Sequence, residues 1–128
     1  FRTANKNNTI IFYNNANKKK ISLFKKKGIL LIKSNLIQKR YFDLKLVLKK
    51  LYKIGVRNIL VEAGDDLSGS FFKNNLFNEF YLFKSPKSLS KSDSYKDFNY
   101  FKHLSQKYKS KKKINTQLGK DTITLYIR

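Results

Sequence analysis

Cysteine, methionine and tryptophan are absent from this 128-residue chain, and proline occurs once. Without cysteine the chain has no disulfide framework, no thiolate zinc site and no cysteine nucleophile. No stretch approaches the roughly 20 consecutive apolar residues of a transmembrane helix, and the first residues show no signal-peptide pattern. We therefore expect a cytoplasmic protein that has no membrane partner.

Acidic residues are also scarce, because 8 Asp and Glu stand against 29 Lys and Arg, giving a net charge of +21. A charge of this size suggests an anionic partner such as a nucleic acid. However, the basic residues are 25 lysines and only 4 arginines, in a chain with 13 asparagines and 3 alanines. That composition is typical of A/T-rich codons, whereas phosphate and guanine recognition favours arginine. We therefore attribute most of the charge to codon bias and do not expect a nucleic-acid partner.

The hydrophobic fraction of 41% and the aromatic fraction of 15% exceed those of a disordered basic tail, so we expect a folded chain. Its length allows one domain at most. Short β-branched and aromatic runs in the first third predict strands and a loop: a strand from Thr9 to Tyr13, a loop from Asn14 to Lys20, an edge strand from Ile21 to Phe24 and a strand from Gly28 to Lys33.

The clearest helix prediction runs from Leu44 to Ile54. Its apolar residues recur at the i, i+3, i+4, i+7 spacing, Asp43 is a favourable N-cap, and Gly55 is a favourable left-handed stop. The apolar run from Val56 to Val61 follows directly and predicts a central strand. Strand, helix and strand in this order imply a right-handed crossover and parallel pairing of the two strands.

The remaining residues predict shorter elements. These are a helix from Leu67 to Lys73 capped by Asp65 or Asp66 and ending near Asn74 and Asn75, a strand from Phe80 to Phe83, a loop from Ser85 to Ser94, an irregular aromatic stretch from Tyr95 to Ser110, and a hairpin of Lys113 to Gln117 with Thr122 to Ile127. The strand from Phe80 to Phe83 is apolar enough to continue a sheet across a homodimer, so we keep a homodimer as an expectation.

Two features that suggest a function have a simpler interpretation. The single histidine, His103, has no second histidine and no carboxylate cluster near it in the sequence, so we expect neither a catalytic role nor a metal site. The lysine triplets are separated by elements that have apolar faces, and solvated loops and edges explain them. They are Lys18 to Lys20, Lys25 to Lys27 and Lys111 to Lys113.

The concentrated functional signal is the stretch from Val61 to Ser70, VEAGDDLSGS. Here a predicted buried strand ends in Glu62, and Gly64 precedes the start of a helix. Ligands of open α/β sheets bind beyond the carboxyl ends of strands, and a helix N-terminus offers free N–H groups to an anion. Neither the G-x-G-x-x-G spacing nor a Gly-Lys-Ser/Thr phosphate loop is present. A tight turn without a ligand is the alternative interpretation.

From Asp43 to Pro86 the chain resembles the reductase domain of the bifunctional riboflavin-biosynthesis deaminase and reductase. In that family an amphipathic helix leads through a glycine to a strand and a V-E-[AG]-G element, followed by a helix, L-V-D-E, a strand and an A-P-K loop. The matching pieces are Leu44 to Ile54, Gly55, Ile59 to Gly64, Leu67 to Phe72, Leu76 to Glu79, Phe80 to Phe83 and Ser85 to Lys87. The resemblance implies an α/β fold like dihydrofolate reductase, a mixed sheet flanked by helices with a C-terminal β-hairpin.

The same resemblance implies NADPH as cofactor and a phosphorylated pyrimidine as substrate, whose ribosyl group is reduced to a ribityl chain. Glu62 matches the family's substrate-contacting glutamate. The positions that hold NADPH match Gly64, Asp65, Asp66, Leu67, Ser68, Gly69 and Ser70. No residue is identified as catalytic. Asp65 and Asp66 stand where the family has small or hydroxyl residues, and their negative charge beside a diphosphate is expected to weaken binding.

The family's reductase domain is longer than this chain, and its zinc deaminase signature has no counterpart here, since cysteine and an H-x-E motif are both absent. We therefore expect residues 1–128 to be the C-terminal part of a single reductase domain, N-terminally truncated and inactive by itself. The rival hypothesis is a small basic RNA-binding or ribosome-associated protein, which predicts a steeply salt-dependent affinity for RNA.

Overall fold

The computed structural model describes residues 4, 6, 9–87, 104, 106, 108, 110–115 and 119–128. The chain divides into two compact units, Phe1–Ile59 and Leu60–Arg128. Within the described ranges, no helix has the length and apolarity that crossing a membrane requires.

The first unit begins with a strand, a helix and a second strand: β1 (Ile10–Tyr13), α1 (Lys18–Lys26) and β2 (Leu30–Lys33). β1 and β2 pair in parallel, from Ile10 opposite Leu30 to Tyr13 opposite Lys33. Parallel strands need a crossover connection, and α1 provides it. The strand predictions for these two segments are confirmed.

The predicted edge strand from Ile21 to Phe24 is wrong, because this segment lies inside α1. Asn17 caps the helix, since its side chain accepts a hydrogen bond of 2.8 Å from the Lys19 N–H. Ile21 and Phe24 are half-buried and three residues apart, which places them on one helix face. A short apolar run is compatible with a strand and with one face of a helix. The N-cap at Asn17 favours the helix here.

The first unit continues with a hairpin and a helix. β3 (Leu36–Ile37) and β4 (Tyr41–Phe42) are antiparallel. Residues 38–40 connect them, and the Arg40 N–H donates to the Ile37 carbonyl at 3.1 Å. The two central residues of this β-turn, Gln38 and Lys39, have positive φ of 51° and 57°.

The predicted helix and both of its ends are confirmed in α2 (Leu44–Lys53). The Asp43 carboxylate accepts hydrogen bonds from the Lys45 and Leu46 N–H groups at 2.9 and 3.2 Å. Gly55 has φ of 97° and donates to the Tyr52 carbonyl, while Val56 donates to Leu51. This pair of bonds is the Schellman arrangement, and it satisfies carbonyls that the helix end leaves free.

The predicted central strand from Val56 to Val61 is wrong. Residues 56–64 form no regular secondary structure, and Leu60 is 81% exposed. The parallel pair that a helix connects is β1 with β2, not a pair that includes this segment. Apolar sequence favours burial, but a strand also needs a neighbouring strand edge for its backbone groups, and the hydrophobic pattern does not specify that pairing.

The second unit contains α3 (Asp65–Lys73) and an antiparallel sheet of β5 (Glu79–Lys84), β6 (Ser110–Ile114) and β7 (Thr122–Ile127). The spatial order is β5-β7-β6. The predicted strand from Phe80 to Phe83 is therefore confirmed, as are the C-terminal hairpin and its second strand. The first strand of the hairpin lies earlier than predicted, at Ser110–Ile114 and not at Lys113 to Gln117. α3 begins two residues before the predicted helix and ends at Asn74, as expected. Asn75, with φ of 53°, forms a second Schellman end.

The core of the second unit is aromatic. Phe72 of α3 packs edge-on against Phe77 and Phe80, with ring centroids 4.8 and 4.9 Å apart. Leu104 and Tyr126 are buried in the same cluster. Edge-to-face aromatic pairs contribute about 0.5–1.5 kcal/mol beyond their buried area. This cluster fixes the packing of α3 on the sheet, and with it the position of the Glu62 to Leu67 junction.

The lysine triplets are exposed, as expected, although Lys18 to Lys20 lie in α1 and not in a loop. Lys111 to Lys113 lie on β6, an outer strand of its sheet, where charged side chains discourage pairing with another chain. His103 and most of the predicted loop and aromatic stretch after Lys87 lie outside the described residues.

Candidate functional site

The junction before α3 forms an open depression of about 500 Å³, lined by residues 62–67. This volume is within the range of small-molecule sites, roughly 300–1,000 Å³. The depression brings together Glu62, Gly64, Asp65, Asp66 and Leu67, which are five of the eight residues that the sequence assigns to substrate and cofactor.

The two predicted serines hold the start of α3 in place. The Ser68 hydroxyl donates to the Ala63 carbonyl at 3.2 Å, and the Ser70 hydroxyl donates to the Asp66 carbonyl at 2.9 Å. Ser68 also donates its N–H to the Gly64 carbonyl at 3.1 Å. Neither serine lines the depression, and Gly69 is buried inside the helix. These three residues therefore position the site and do not form its wall.

Gly64 is the N-cap of α3, and none of the described residues requires a glycine there. Its φ is −70°, a value that any residue adopts, and an added Cβ would meet no atom within 4 Å. Because glycine has no side chain to cap the helix, the N–H groups of Asp65, Asp66 and Leu67 have no acceptor among the described residues. Open space in front of free N–H groups fits the phosphates of a dinucleotide cofactor.

Asp65 and Asp66 make the binding of a phosphate at this position less favourable. Both carboxylates are exposed, and neither is within ion-pair distance of a cation in the described part of the chain. Their place in the first turn explains their presence, because acidic side chains stabilise a helix N-terminus by about 0.3–1 kcal/mol each. The backbone of this site therefore suits an anion, and its two carboxylates weaken the attraction.

Glu62 is exposed and has no hydrogen-bond partner among the described residues. The strand end predicted at Glu62 is therefore wrong, because residues 56–64 form no regular secondary structure. The Glu62 carboxylate oxygens are open to solvent. They are available to accept hydrogen bonds from hydroxyl or ring N–H groups of a ligand.

A second polar cluster, which the sequence pattern did not predict, lies in the first unit. Lys50 of α2 meets Ser34, the residue that follows β2. The available signal was a serine placed directly after an apolar strand, where side chains face the carboxyl edge of a sheet. No group of three His, Cys, Asp or Glu side chains that could hold a metal is found in the described ranges.

Comparison with known proteins identifies the family. The family model described as the RibD C-terminal domain matches residues 1–122. The chain belongs to the RibD C-terminal domain family. The predicted dihydrofolate-reductase-like α/β class is confirmed by this match and agrees with the mixture of parallel and antiparallel strands.

Two curated relatives of this RibD-family chain are both named riboflavin biosynthesis protein RibD. The protein of Buchnera aphidicola subsp. Baizongia pistaciae (strain Bp) is 39% identical over 80 residues, which are 62% of this chain and 22% of that protein. The protein of Aquifex aeolicus (strain VF5) is 30% identical over 87 residues, which are 68% of this chain and 24% of that protein. The matched region thus spans less than a quarter of either relative.

Proposed function

We propose that this chain is part of an NADPH-dependent reductase of riboflavin biosynthesis. The reaction is the reduction of 5-amino-6-(5-phosphoribosylamino)uracil, in which the ribosyl group becomes a ribityl chain. When bound, NADPH would supply the hydride and leave as NADP⁺, and one proton from solvent would complete the two-electron reduction. In this proposal the described residues contribute one wall of the cofactor site and one substrate contact.

The observation that carries this proposal is the junction at Gly64. The family match places the chain in a domain of riboflavin biosynthesis proteins, and the free N–H groups of residues 65–67 face open space at a helix N-terminus. Backbone N–H groups in that position bind the diphosphate of a dinucleotide. Gly64 leaves the room that a close approach of the diphosphate needs.

Glu62 lies two residues from Gly64 on the wall of the same depression. In the proposal its carboxylate accepts hydrogen bonds from the pyrimidine or from the ribose hydroxyls and so orients the substrate beside the cofactor. Orientation of two bound reactants is a large part of the rate enhancement in such reactions. Glu62 is thus a substrate-binding residue in this proposal and does not transfer a proton.

The RNA-binding alternative is not favoured, because the family match covers most of the chain and the lysine-rich composition needs no nucleic acid to explain it. It nevertheless predicts a result that would contradict the proposed function. A native protein that binds RNA tightly at physiological salt and neither binds nor oxidises NADPH would overturn the proposed function.

The positive test uses Gly64→Ala and Glu62→Gln in the native protein. Gly64→Ala puts a methyl group into the space before the α3 N–H groups, so we expect the NADPH dissociation constant to rise about tenfold, the loss of roughly one charged hydrogen bond. Glu62→Gln removes a carboxylate acceptor, so we expect a higher KM for the pyrimidine substrate and little change in NADPH affinity. Fluorescence titration of NADPH and steady-state kinetics measure the two effects.

Glu79→Gln is the matched control, because Glu79 is the chain's other glutamate and loses the same charge. It lies on β5, where it accepts a hydrogen bond of 2.9 Å from the Tyr81 hydroxyl, and it does not line the depression. We expect this variant to keep both affinities. Equal effects of Glu62→Gln and Glu79→Gln would show that net charge alone matters and would remove Glu62 from the site.

A further inference from the structure

The first turn of α3, which carries the proposed cofactor contacts, is not held by buried side chains. Residues 61–67 are all exposed, and the buried residues of α3 are Gly69 at its middle and Phe72 near its end. The helix has nine residues and is therefore roughly 14 Å long. The direction in which the N–H groups of residues 65–67 point thus depends on how the C-terminal half of α3 is fixed.

Arg128 holds the loop that follows α3. Its Nη1 group donates to the Asn75 carbonyl at 2.8 Å, and its backbone N–H donates to the Asn78 carbonyl at 2.9 Å. Arg128 directly follows β7, so these two bonds join the loop of residues 74–78 to the sheet. A cation at the C-terminal end of a helix is also favourable, because the helix carbonyls point towards it.

The backbone of Asn75 connects this loop rigidly to the helix. Asn75 has φ of 53°, and its N–H donates to the Phe72 carbonyl at 3.1 Å, while the Leu76 N–H donates to the Phe71 carbonyl at 3.0 Å. The Asn75 Oδ1 atom is buried and has no partner among the described residues. Backbone bonds to α3 and the bond from Arg128 therefore set the position of Asn75, and a shift of Asn75 moves the helix end with it.

Phe72 lies between this contact and the cofactor junction. It packs edge-on against Phe77 and Phe80, so it is the point about which α3 would tilt. Asp65 is 72 − 65 = 7 residues from Phe72, whereas Asn75 is 75 − 72 = 3 residues from it. A tilt therefore moves the start of α3 further than it moves Asn75.

We propose that Arg128 is a positioning residue for the cofactor site at the start of α3. It fixes the helix end beyond Phe72 and so aims the N–H groups of residues 65–67 at the diphosphate of NADPH. This inference rests on the proposed function, since it concerns the same N–H groups. The family model matches residues 1–122, so the family match does not imply this contact.

The test compares Arg128→Gln with Lys120→Gln in the native protein. Lys120 is exposed in the turn before β7, at the opposite end of that strand, so both variants lose one charge. The Arg128 bond lies at the surface, so its loss leaves the core intact. We expect Arg128→Gln to raise the NADPH dissociation constant about fivefold, and Lys120→Gln or Arg128→Lys to raise it less than about 1.5-fold. Equal effects of the two glutamine variants overturn the inference.

A double variant with Gly64→Ala separates positioning from a general weakening of the protein. Gly64→Ala alone is expected to raise the NADPH dissociation constant about tenfold, and independent effects would multiply to about fiftyfold. If Arg128 acts through the N–H groups that Gly64 exposes, the double variant stays near the tenfold effect of Gly64→Ala. A fiftyfold effect would overturn the positioning role.

Amide hydrogen exchange of the protein without NADPH distinguishes failure of this inference from failure of the proposed function. We expect Arg128→Gln to exchange the helical amides of α3 about fivefold faster and to leave those of α2 unchanged. Faster exchange confined to residues 74–78, or equal acceleration in α2, overturns the inference. A protein that never binds NADPH but shows the change in α3 contradicts the proposed function and supports the control of α3 by Arg128.

Discussion

Asp43 shows what a single residue contributes. Its carboxylate accepts two backbone N–H groups at the start of α2, which would otherwise lack partners. We expect Asp43→Ala to lower the free energy of unfolding by about 1 kcal/mol, measured by urea denaturation. Asp43→Asn loses the same charge and keeps an acceptor, so it should lose less than half as much. Equal losses in the two variants would mean that charge, not capping, stabilises the helix.

Residues whose role depends on local chemistry were predictable from the sequence. Asp43 and Gly55 need only the neighbouring turn of α2 to act, and both lie where the pattern placed them. The junction at Gly64 was also found from its local pattern. Lys50 and Ser34 are 16 positions apart in the sequence and meet only in the folded unit, so no local pattern could pair them.

At the scale of elements, apolar runs were the least reliable signal. The segment from Ile21 to Phe24 became a helix face, because Asn17 caps a helix ahead of it. The segment from Val56 to Val61 became irregular and exposed chain, because its hydrophobicity does not supply a strand partner. α2, β5 and the C-terminal hairpin were predicted correctly, since caps, stops or strict alternation accompany their apolar residues.

The exposed segment before α3 gives a direct prediction. Leu60 is 81% exposed and Leu104 is fully buried, so the same substitution should differ greatly at the two positions. We expect Leu60→Ala to change the free energy of unfolding by less than about 0.5 kcal/mol, as is usual for surface positions. Leu104→Ala should lower it by about 2–5 kcal/mol, since it leaves a cavity. Urea denaturation of both variants measures the contrast.

A large decrease in the free energy of unfolding of Leu60→Ala would contradict the exposure of Leu60. It would instead support the paired central strand that the sequence suggested for this segment, because a buried leucine in a strand costs several kcal/mol to truncate. Retained helical circular dichroism in both variants confirms that each measurement starts from a folded chain.

At the scale of the whole molecule, the main feature is the excess of positive charge and its effect on the stability of the folded chain. Pairing each of the 8 acidic residues with one basic residue would still leave 29 − 8 = 21 basic residues unmatched. Their mutual repulsion destabilises a compact state. Raising NaCl from 0.05 to 0.5 M shortens the screening length from roughly 14 to roughly 4 Å. We therefore expect the free energy of unfolding to rise over this range, as measured by urea denaturation at each salt concentration.

The double variant Lys111→Glu, Lys113→Glu is the control for this salt effect. Each substitution changes the charge by two units, so the net charge falls from +21 to 21 − 4 = +17. Both side chains are exposed on β6. The variant should therefore respond less to salt. A stability that falls as NaCl rises would show that attractive charge pairs outweigh repulsion in this protein.

The fold class was predictable because resemblance and periodicity agreed on α2, on α3 and on the C-terminal sheet. The number of sheets was not, because pairing depends on which strand edges meet and the hydrophobic pattern does not specify this. The homodimer that an apolar Phe80 to Phe83 suggested stays a prediction. Among the described strands, β5 pairs with β7 alone.

The pairing of β5 with β7 also sets an order of events during synthesis. Residues 85–121 separate the two strands, whereas only residues 14–29 separate β1 from β2. At about 5–20 residues per second, synthesis of the residues between the two strands takes roughly 2 to 7 s before β7 begins to be made. During that time an aromatic strand has no partner on either edge. Translation speed through this stretch therefore governs how long the nascent chain is open to intermolecular pairing, and a chaperone is most useful within those seconds.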